Sequence, residues 1–261
     1  TNQDVTLTFS ATDTGGSGVY MVREKGGYGV YISTTIQQVV TQNGTYTFEV
    51  QDKAGNRGAV SIEVDNIDKE LPDGIITGNP TSWTNQDVTL TFSATDTGGS
   101  GVQRVRVKDG DWVNGATTTL EVSENGTYTF EVEDNAGNTS EVSAVVNRID
   151  KELPNGTITG KPTSWTNQDV TLTFIATDTG GSGVRRVRVK DGDWVDGATT
   201  TQIATRNGAY KFEVEDHAGN RREVSVVVNR IDKTLPNGTI TGNPTTWVNQ
   251  NVTLAFNATD T

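Results

Sequence analysis

The sequence has no cysteine, one methionine and one histidine among 261 residues. Without cysteine the chain can form neither a disulfide framework nor a thiol nucleophile, so packing and hydrogen bonds must hold it together. No apolar run approaches the roughly 18 residues that a membrane-spanning helix needs. We therefore predict that this chain has no membrane span.

Positive charge is also scarce. The chain has 21 Lys and Arg against 33 Asp and Glu, a formal net charge of −12 and a pI of about 4.5. A nucleic-acid partner needs a basic footprint, so we predict none, whereas the negative excess suits divalent cations. The lone His217 lies in a loop where another repeat carries Asn135, which is typical of a solvated substitution and not of a catalytic base. We expect no enzyme.

The chain consists of repeats with a period of 82 residues. Residues 84–102 and 166–184 are identical except that Ser93 in the first corresponds to Ile175 in the second. A further step of the same length reaches Val248, and the first copy is offset by 83. A catalyst needs one asymmetric site, whereas near-identical modules are typical of spacers, stalks and multivalent binders.

Short proline-containing segments separate the repeats. Each reads Asp-Lys-x-Leu-Pro and begins at Asp68, Asp150 or Asp232. Because proline restricts both its own backbone and the residue before it, we interpret these segments as short, stiff joints. The predicted domains are a first module at 1–67 that lacks its first strand, a second module at 68–149 and a third at 150–231, each with an N-terminal joint, and the first strands of an incomplete fourth module at 232–261. Since the chain starts and ends inside modules, we expect a piece of something longer.

Within a module, apolar and polar residues alternate with the period of a β-strand. In 88–94 the apolar side chains Val, Leu, Phe and Ala share one face, and no window has a convincing helical period. Gly- and Asn-rich turns separate such runs. The pattern predicts an all-β sandwich with strands A (156–159), B (88–94), C (102–108), E (117–122), F (127–133) and G (141–149), and a short C′ or D piece near Trp112.

The start of strand F carries a family resemblance. The run Glu-Asn-Gly-Thr-Tyr-Thr-Phe at 124–130 resembles the immunoglobulin E–F corner, where a tyrosine bonds back to the backbone. Phe130 stands where an antibody domain has its second cysteine, as do Phe48 and Phe212. Together with the joint, the repeat resembles the tandem bacterial immunoglobulin-like (Big-type) domains of large cell-surface and adhesin proteins. The resemblance implies tandem β-sandwich modules in an elongated rod, at an extracellular, cell-surface or cell-wall location.

Aspartates recur at three places in each repeat: the joint, the B–C loop and the F–G loop. In an immunoglobulin-like sandwich the chain enters at the end where these two loops lie, so each joint should meet both loops of the module that follows. We therefore expect two groups of three carboxylates, formed by Asp68, Asp96 and Asp134 and by Asp150, Asp178 and Asp216.

Three carboxylates beside loop carbonyls are the oxygen ligands that Ca²⁺ prefers. Some bacterial immunoglobulin-like adhesin repeats are rigidified by calcium at their junctions, and the resemblance implies the same here. The alternative is that these aspartates only form turns and cap loop N–H groups, or that the lysine of each joint neutralises them. Calcium is the one cofactor that the sequence suggests.

Tryptophan also recurs, at two places in the repeat. One position, just before strand B, holds Trp83, Trp165 and Trp247, and the other holds Trp112 and Trp194. Exposed tryptophans at regular intervals suit sugar stacking and hence a multivalent carbohydrate-binding array. Packing at the core or rim of a small sandwich is the alternative that we expect.

The leading functional prediction is a non-catalytic spacer, stalk or fibre segment of an extracellular bacterial surface protein or adhesin. Its partners would be the neighbouring modules of the same chain and, in a fibre, other copies. The carbohydrate-binding array, with cell-surface glycan as partner, is the first alternative. A filament subunit joined by strand donation is the second, because the last residues carry strands that the first module lacks.

Overall fold

The computed structural model describes residues 1–27 and 32–260, and these residues form two compact units. The first unit comprises Thr1–Pro80 and Asp87–Asn147, and the second comprises Thr81–Gln86 and Arg148–Thr261. Every regular element in the described residues is a β-strand, which confirms the all-β prediction.

The strands of the first unit follow the predicted alternation closely. In chain order they are β1 (Val5–Ser10), β2 (Val19–Glu24), β3 (Thr35–Val40), β4 (Gly44–Asp52), β5 (Arg57–Val64), β6 (Asp73–Thr77), β7 (Val88–Thr95), β8 (Val102–Val107), β9 (Val113–Asn114), β10 (Thr117–Val122), β11 (Gly126–Asp134) and β12 (Thr139–Val146). The sheets of residues 1–67 have the orders β1-β3 and β2-β4-β5, and those of residues 68–149 have the orders β10-β7-β6 and β12-β11-β8-β9.

The second unit repeats this arrangement. Its strands are β13 (Asn155–Thr159), β14 (Val170–Thr177), β15 (Val184–Val189), β16 (Val195–Asp196), β17 (Thr199–Ala204), β18 (Gly208–Asp216), β19 (Arg221–Val228), β20 (Asn237–Thr241) and β21 (Ala255–Thr259). The sheet orders are β13-β14-β17, β16-β15-β18-β19 and β20-β21, and all pairs are antiparallel. The first two are the A-B-E and C′-C-F-G sheets of an immunoglobulin-like sandwich, and β20-β21 pairs strands A and B of the fourth repeat.

Stacked phenylalanines join the two sheets of each module at the place where an antibody domain has its disulfide. Phe92 of β7 and Phe130 of β11 are fully buried, and their ring centroids lie 5.3 Å apart. The Phe9–Phe48 and Phe174–Phe212 pairs repeat the contact at 5.4 and 5.2 Å. An aromatic pair in this geometry adds about 0.5–1.5 kcal/mol beyond the area that it buries, so each pair stabilises the contact between the two sheets without a covalent bond.

The tyrosine corner is present in all three modules. The hydroxyls of Tyr46, Tyr128 and Tyr210 donate to the carbonyl oxygens of the residues four positions earlier, at 2.7, 2.8 and 2.8 Å. Asn43 supports the corner, because its amide exchanges two 2.8 Å hydrogen bonds with the backbone of Ile67, the residue just before the joint. The corner therefore fixes both the start of strand F and the exit of the chain into the joint.

Candidate functional site

The joint aspartates are anchored by backbone hydrogen bonds on both sides. The N–H of Asp68 donates to the carbonyl of Thr1 at 2.9 Å. Its carboxylate accepts from the N–H groups of Glu70 at 3.1 Å and Ser100 at 3.0 Å. Asp150 makes the equivalent set in the second unit, including an N–H to Thr84 carbonyl bond of 2.9 Å. Each joint aspartate thus ties its own segment to the following B–C loop.

The B–C loop folds around its own aspartate. Asp96 accepts hydrogen bonds from the N–H of Gly98 at 3.1 Å, the N–H of Gly101 at 2.7 Å and the Ser100 hydroxyl at 3.4 Å. Gly98 permits the joint to come close, because a Cβ on this residue would fall 2.0 Å from Oδ1 of Asp68. Only glycine fits here while the joint aspartate occupies this position.

The third aspartate ends strand F, where a buried asparagine connects it to the joint. Asp134 of β11 accepts from the N–H of Asn138 at 2.8 Å and from its side-chain amide at 2.7 Å. The same amide donates to the carbonyl of Asp68 at 3.0 Å. Asn220 makes these three bonds in the second unit, to Asp216 and Asp150. Neither asparagine was a predicted site residue, although an asparagine four residues after each F–G aspartate recurs in the sequence and signalled it.

In both groups of aspartates that the sequence predicted, the structure brings the three carboxylates close together. One oxygen from each of Asp68, Asp96 and Asp134 lies within 4.8 Å of the other two. Asp150, Asp178 and Asp216 form a second group by the same measure. The joint and F–G aspartates are buried in both groups, and the B–C aspartate is half-buried.

Among the residues that the structure describes, neutral groups donate hydrogen bonds to these carboxylates. They are backbone N–H groups, serine hydroxyls and asparagine amides. Lys69 and Lys233, two of the joint lysines, pair with Asp4 and Asp169 outside the groups. The pKa of Asp68 lies below its usual value, chiefly because of the Ser100 hydroxyl and with help from the N–H groups of Ser100 and Glu70, which outweigh the effect of burial.

The donor set fits a hard divalent cation. Each group offers three carboxylates from three separate segments of chain. In each carboxylate at least one oxygen accepts a single hydrogen bond and keeps a lone pair for a cation. The first module has the corresponding B–C and F–G aspartates, Asp13 and Asp52, which bind their own loop residues in the same way. The same hydrogen bonds are also those of the turn-forming alternative, so loop geometry alone leaves both interpretations standing.

The outer face of strand C proves to be charge-balanced. Arg104 pairs with Glu133 at 2.6 Å, and Arg106 pairs with Glu131, both on the neighbouring strand β11. Trp112 stacks with both arginines, whose Cζ atoms lie 4.6 and 4.4 Å from its ring centroid. Trp194 repeats the arrangement in the second unit. The Arg–Glu pairs on the outer face of strands C and F, with the tryptophan that stacks on them, form an outer ladder. These two tryptophans therefore lie outside the core.

At the other tryptophan position, just before strand B, the copies differ in their exposure to solvent. Trp83 is half-buried, whereas Trp165 is 69% exposed and Trp247 is fully exposed. The expectation of core or rim packing is therefore wrong for Trp165 and Trp247.

Comparison with known proteins supports the family resemblance. A sequence model of the bacterial Ig-like domain family matches residues 115–151, which contain strands β10 to β12 and the first two residues of the following joint. The resemblance to bacterial immunoglobulin-like domains is confirmed. The matched segment includes Tyr128, whose hydroxyl forms the tyrosine corner.

Relatives of known sequence or structure add little more. Exoglucanase B of Cellulomonas fimi is 29% identical over 296 residues, and the alignment covers 100% of this chain. The chain spans 27% of that relative's length. The native conformation of E. coli alpha-2-macroglobulin aligns with 94% of this chain, and the alignment covers 23% of the alpha-2-macroglobulin chain. The two share 10% sequence identity with a TM-score of 0.22. A likeness this low carries no argument.

No helix among the described residues has the length and apolarity needed to cross a membrane.

Proposed function

We propose that this chain is a non-catalytic spacer segment of an extracellular bacterial surface protein, whose joints are stiffened by Ca²⁺. The observation that carries the proposal is the recurrence of the same three converging carboxylates at Asp68 and at Asp150. A catalytic centre would be single, whereas these groups repeat with the module.

Calcium would act by joining three segments of chain at one point. In each group one carboxylate comes from the joint, one from the B–C loop and one from the F–G loop. Two carboxylates at about 4.8 Å repel each other by on the order of 3 kcal/mol at an effective dielectric constant of 20. A bound cation replaces this repulsion with shared coordination, so the joint can no longer bend away from the loops.

The composition of the chain and its alignment with a longer protein are consistent with a spacer. Acidic modules without cysteine or a basic patch suit an exposed position in a large protein. The alignment with a quarter of an exoglucanase supports placement inside a longer, multi-domain chain. We propose surface proteins and adhesins as the setting, with neighbouring modules as the immediate partners.

Small-angle scattering of the full chain, with Ca²⁺ and then with excess EGTA, tests this proposal. We expect an elongated particle whose scattering indicates greater flexibility after chelation. Asp134→Asn should remove the response at the first joint, because it removes one ligand charge while keeping a hydrogen-bond acceptor. Asp73→Asn is the matched control, since it changes the same charge outside the group and Asn155 occupies that position in the next repeat. A compact particle would refute the spacer, and an elongated one indifferent to EGTA would refute only the calcium.

A multivalent glycan-binding array is the second candidate, favoured by the exposure of Trp165 and Trp247. Titration of the chain with cellohexaose, followed by tryptophan fluorescence, tests it. A saturable shift that is lost in Trp165→Ala supports the array.

A further inference from the structure

The segment that precedes strand B belongs by sequence to one repeat and packs with the next. Residues 81–86 connect β6 to β7, yet they cluster with the second unit, which resumes at Arg148. The N–H of Thr84 donates to the carbonyl of Arg148 at 3.0 Å, and the N–H of Asp150 donates to the carbonyl of Thr84 at 2.9 Å. Thr84 and Ile149 form a parallel bridge. This short segment is therefore part of the joint.

Two side chains of this segment reach the loops of the third module. The Trp83 ring lies against the B–C loop, where a Cβ on Gly181 would be 3.6 Å from the ring edge. The Asn85 amide lies against the F–G loop, 3.9 Å from a Cβ placed on Gly219. In the first unit the amide of Asn2, which corresponds to Asn85, donates to the carbonyl of Gly137 at 3.1 Å. The contact is thus a feature of the repeat.

The next copy of the segment makes the same backbone hydrogen bonds, but its tryptophan is exposed. The N–H of Thr166 donates to Arg230 at 3.0 Å, the N–H of Asp232 donates to Thr166 at 2.9 Å, and Thr166 bridges Ile231. Despite this equivalent backbone, Trp165 is 69% exposed while Trp83 is half-buried. The sequence around the two tryptophans, 82–92 and 164–174, is identical. What differs is the loop that covers the ring.

We propose that Trp165 and Asn167 form a docking surface for the B–C and F–G loops of one more module of this repeat. The occupant is assigned by continuity with the Trp83 contact, where a Gly-rich loop lies against the same side chain of the same segment. Gly181 has a φ of +103°, a conformation that residues with side chains rarely adopt, so the loop presents bare backbone to the ring. This surface deepens the spacer proposal and rests on its tandem arrangement, but it does not depend on calcium.

The test extends the full chain by a second copy of residues 98–149 after Thr261, which completes a fourth module. Both chains are labelled with 5-fluorotryptophan, and the Trp165 signal is assigned by Trp165→Phe. Fluorine NMR with a soluble paramagnetic agent then reports the exposure of each ring. We expect the relaxation enhancement of Trp165 to fall severalfold in the extended chain, to the level of Trp83. Trp112 and Trp194 should not change.

A second variant separates docking from folding. Trp165→Ala should lower the melting temperature of the extended chain and leave that of the original chain unchanged. Only in the extended chain does Trp165 have the B–C and F–G loops of a fourth module to contact. All measurements are repeated in EGTA, so that docking of Trp165 is tested whether or not calcium stiffens the joints. If Trp165 stays equally exposed in a folded, extended chain, the proposal is wrong. A Trp165 signal that responds to cellohexaose and not to the added module would assign the ring to glycan instead.

Discussion

Replacing Gly98 by alanine should dismantle the first carboxylate group while leaving the second intact. The new Cβ would lie 2.0 Å from Oδ1 of Asp68, whereas ordinary contacts begin at 3.4 Å. Asp68 must therefore retreat by more than an ångström. The obstacle is an anchored carboxylate on another segment, so no free rotation of a surface side chain relieves the overlap.

The cost follows from the hydrogen bonds that Asp68 would lose. Its carboxylate accepts from the N–H groups of Ser100 and Glu70, at 3.0 and 3.1 Å. A hydrogen bond to a charged group contributes about 1.5–3 kcal/mol, so losing both should cost roughly 3 kcal/mol or more. In a unit of this size each kcal/mol corresponds to about 2–4 °C in Tm. We expect the first unit to melt about 6–12 °C lower, and calcium stoichiometry to fall from two to one.

Gly99→Ala is the matched control. Gly99 has a φ of +102°, and a Cβ there would meet nothing within 4 Å. Alanine at that position therefore suffers only backbone strain of about 1–2 kcal/mol, with no displacement of Asp68. Urea unfolding measures the stability, and isothermal titration calorimetry counts the calcium sites. Equal losses for the two variants, or two calcium sites remaining in Gly98→Ala, would refute the reasoning.

Three further predictions follow from other parts of the modules. Gln202→Leu should stabilise the third module by about 1–2 kcal/mol in urea unfolding, because the buried Oε1 of Gln202 finds no hydrogen-bond partner among the described residues and the second module carries Leu120 at this position. No gain in stability would show that the amide is solvated. Tyr128→Phe should cost about 1 kcal/mol by the same assay through loss of the corner bond to the backbone, and a neutral result would mean that this bond contributes nothing net. Thermal melts across pH should show a stability plateau with two edges. The pKa of Asp68 is lowered in the folded state, so its contribution is present above the unfolded value near 4 and disappears as pH falls through the folded pKa. The pKa of Lys190 is raised by Glu213 and Glu223, so its contribution is fully present below the unfolded value near 10.4 and is lost as pH rises from there through the folded pKa. A flat profile between pH 2 and 5 would contradict the acid edge.

The sequence was sufficient for the strands because a sandwich imposes a strict period of two. The strand predicted at 117–122 is observed with those limits, and the one predicted at 127–133 extends by one residue at each end. The convergence of the aspartates was also predictable, since the position of the two loops at one end of a sandwich follows from its topology. Both inferences depend on repeating patterns, which three copies made visible.

The outer ladder and the tryptophans could not be predicted in the same way. Alternation shows that Arg106 points outward, but only the register of β8 against β11 pairs it with Glu131. The position of Trp112 over that pair depends on the turn between β8 and β9, for which the sequence has no periodic signal. Such contacts are set by tertiary placement and not by the pattern of one strand.

The repetition of the joint also decides how its parts must be interpreted. Asp68 and Asp150 have the same donors at nearly the same distances, although they lie in different compact units. Because the two sites are built independently, the arrangement follows from the repeat and not from one favourable packing. The pieces that carry it, including Gly98 and Asn138, are far apart in sequence and meet only when a joint precedes a complete module. A carboxylate group of this kind therefore forms once per complete joint. The calcium proposal accordingly predicts one bound ion per complete joint in a chain of any length.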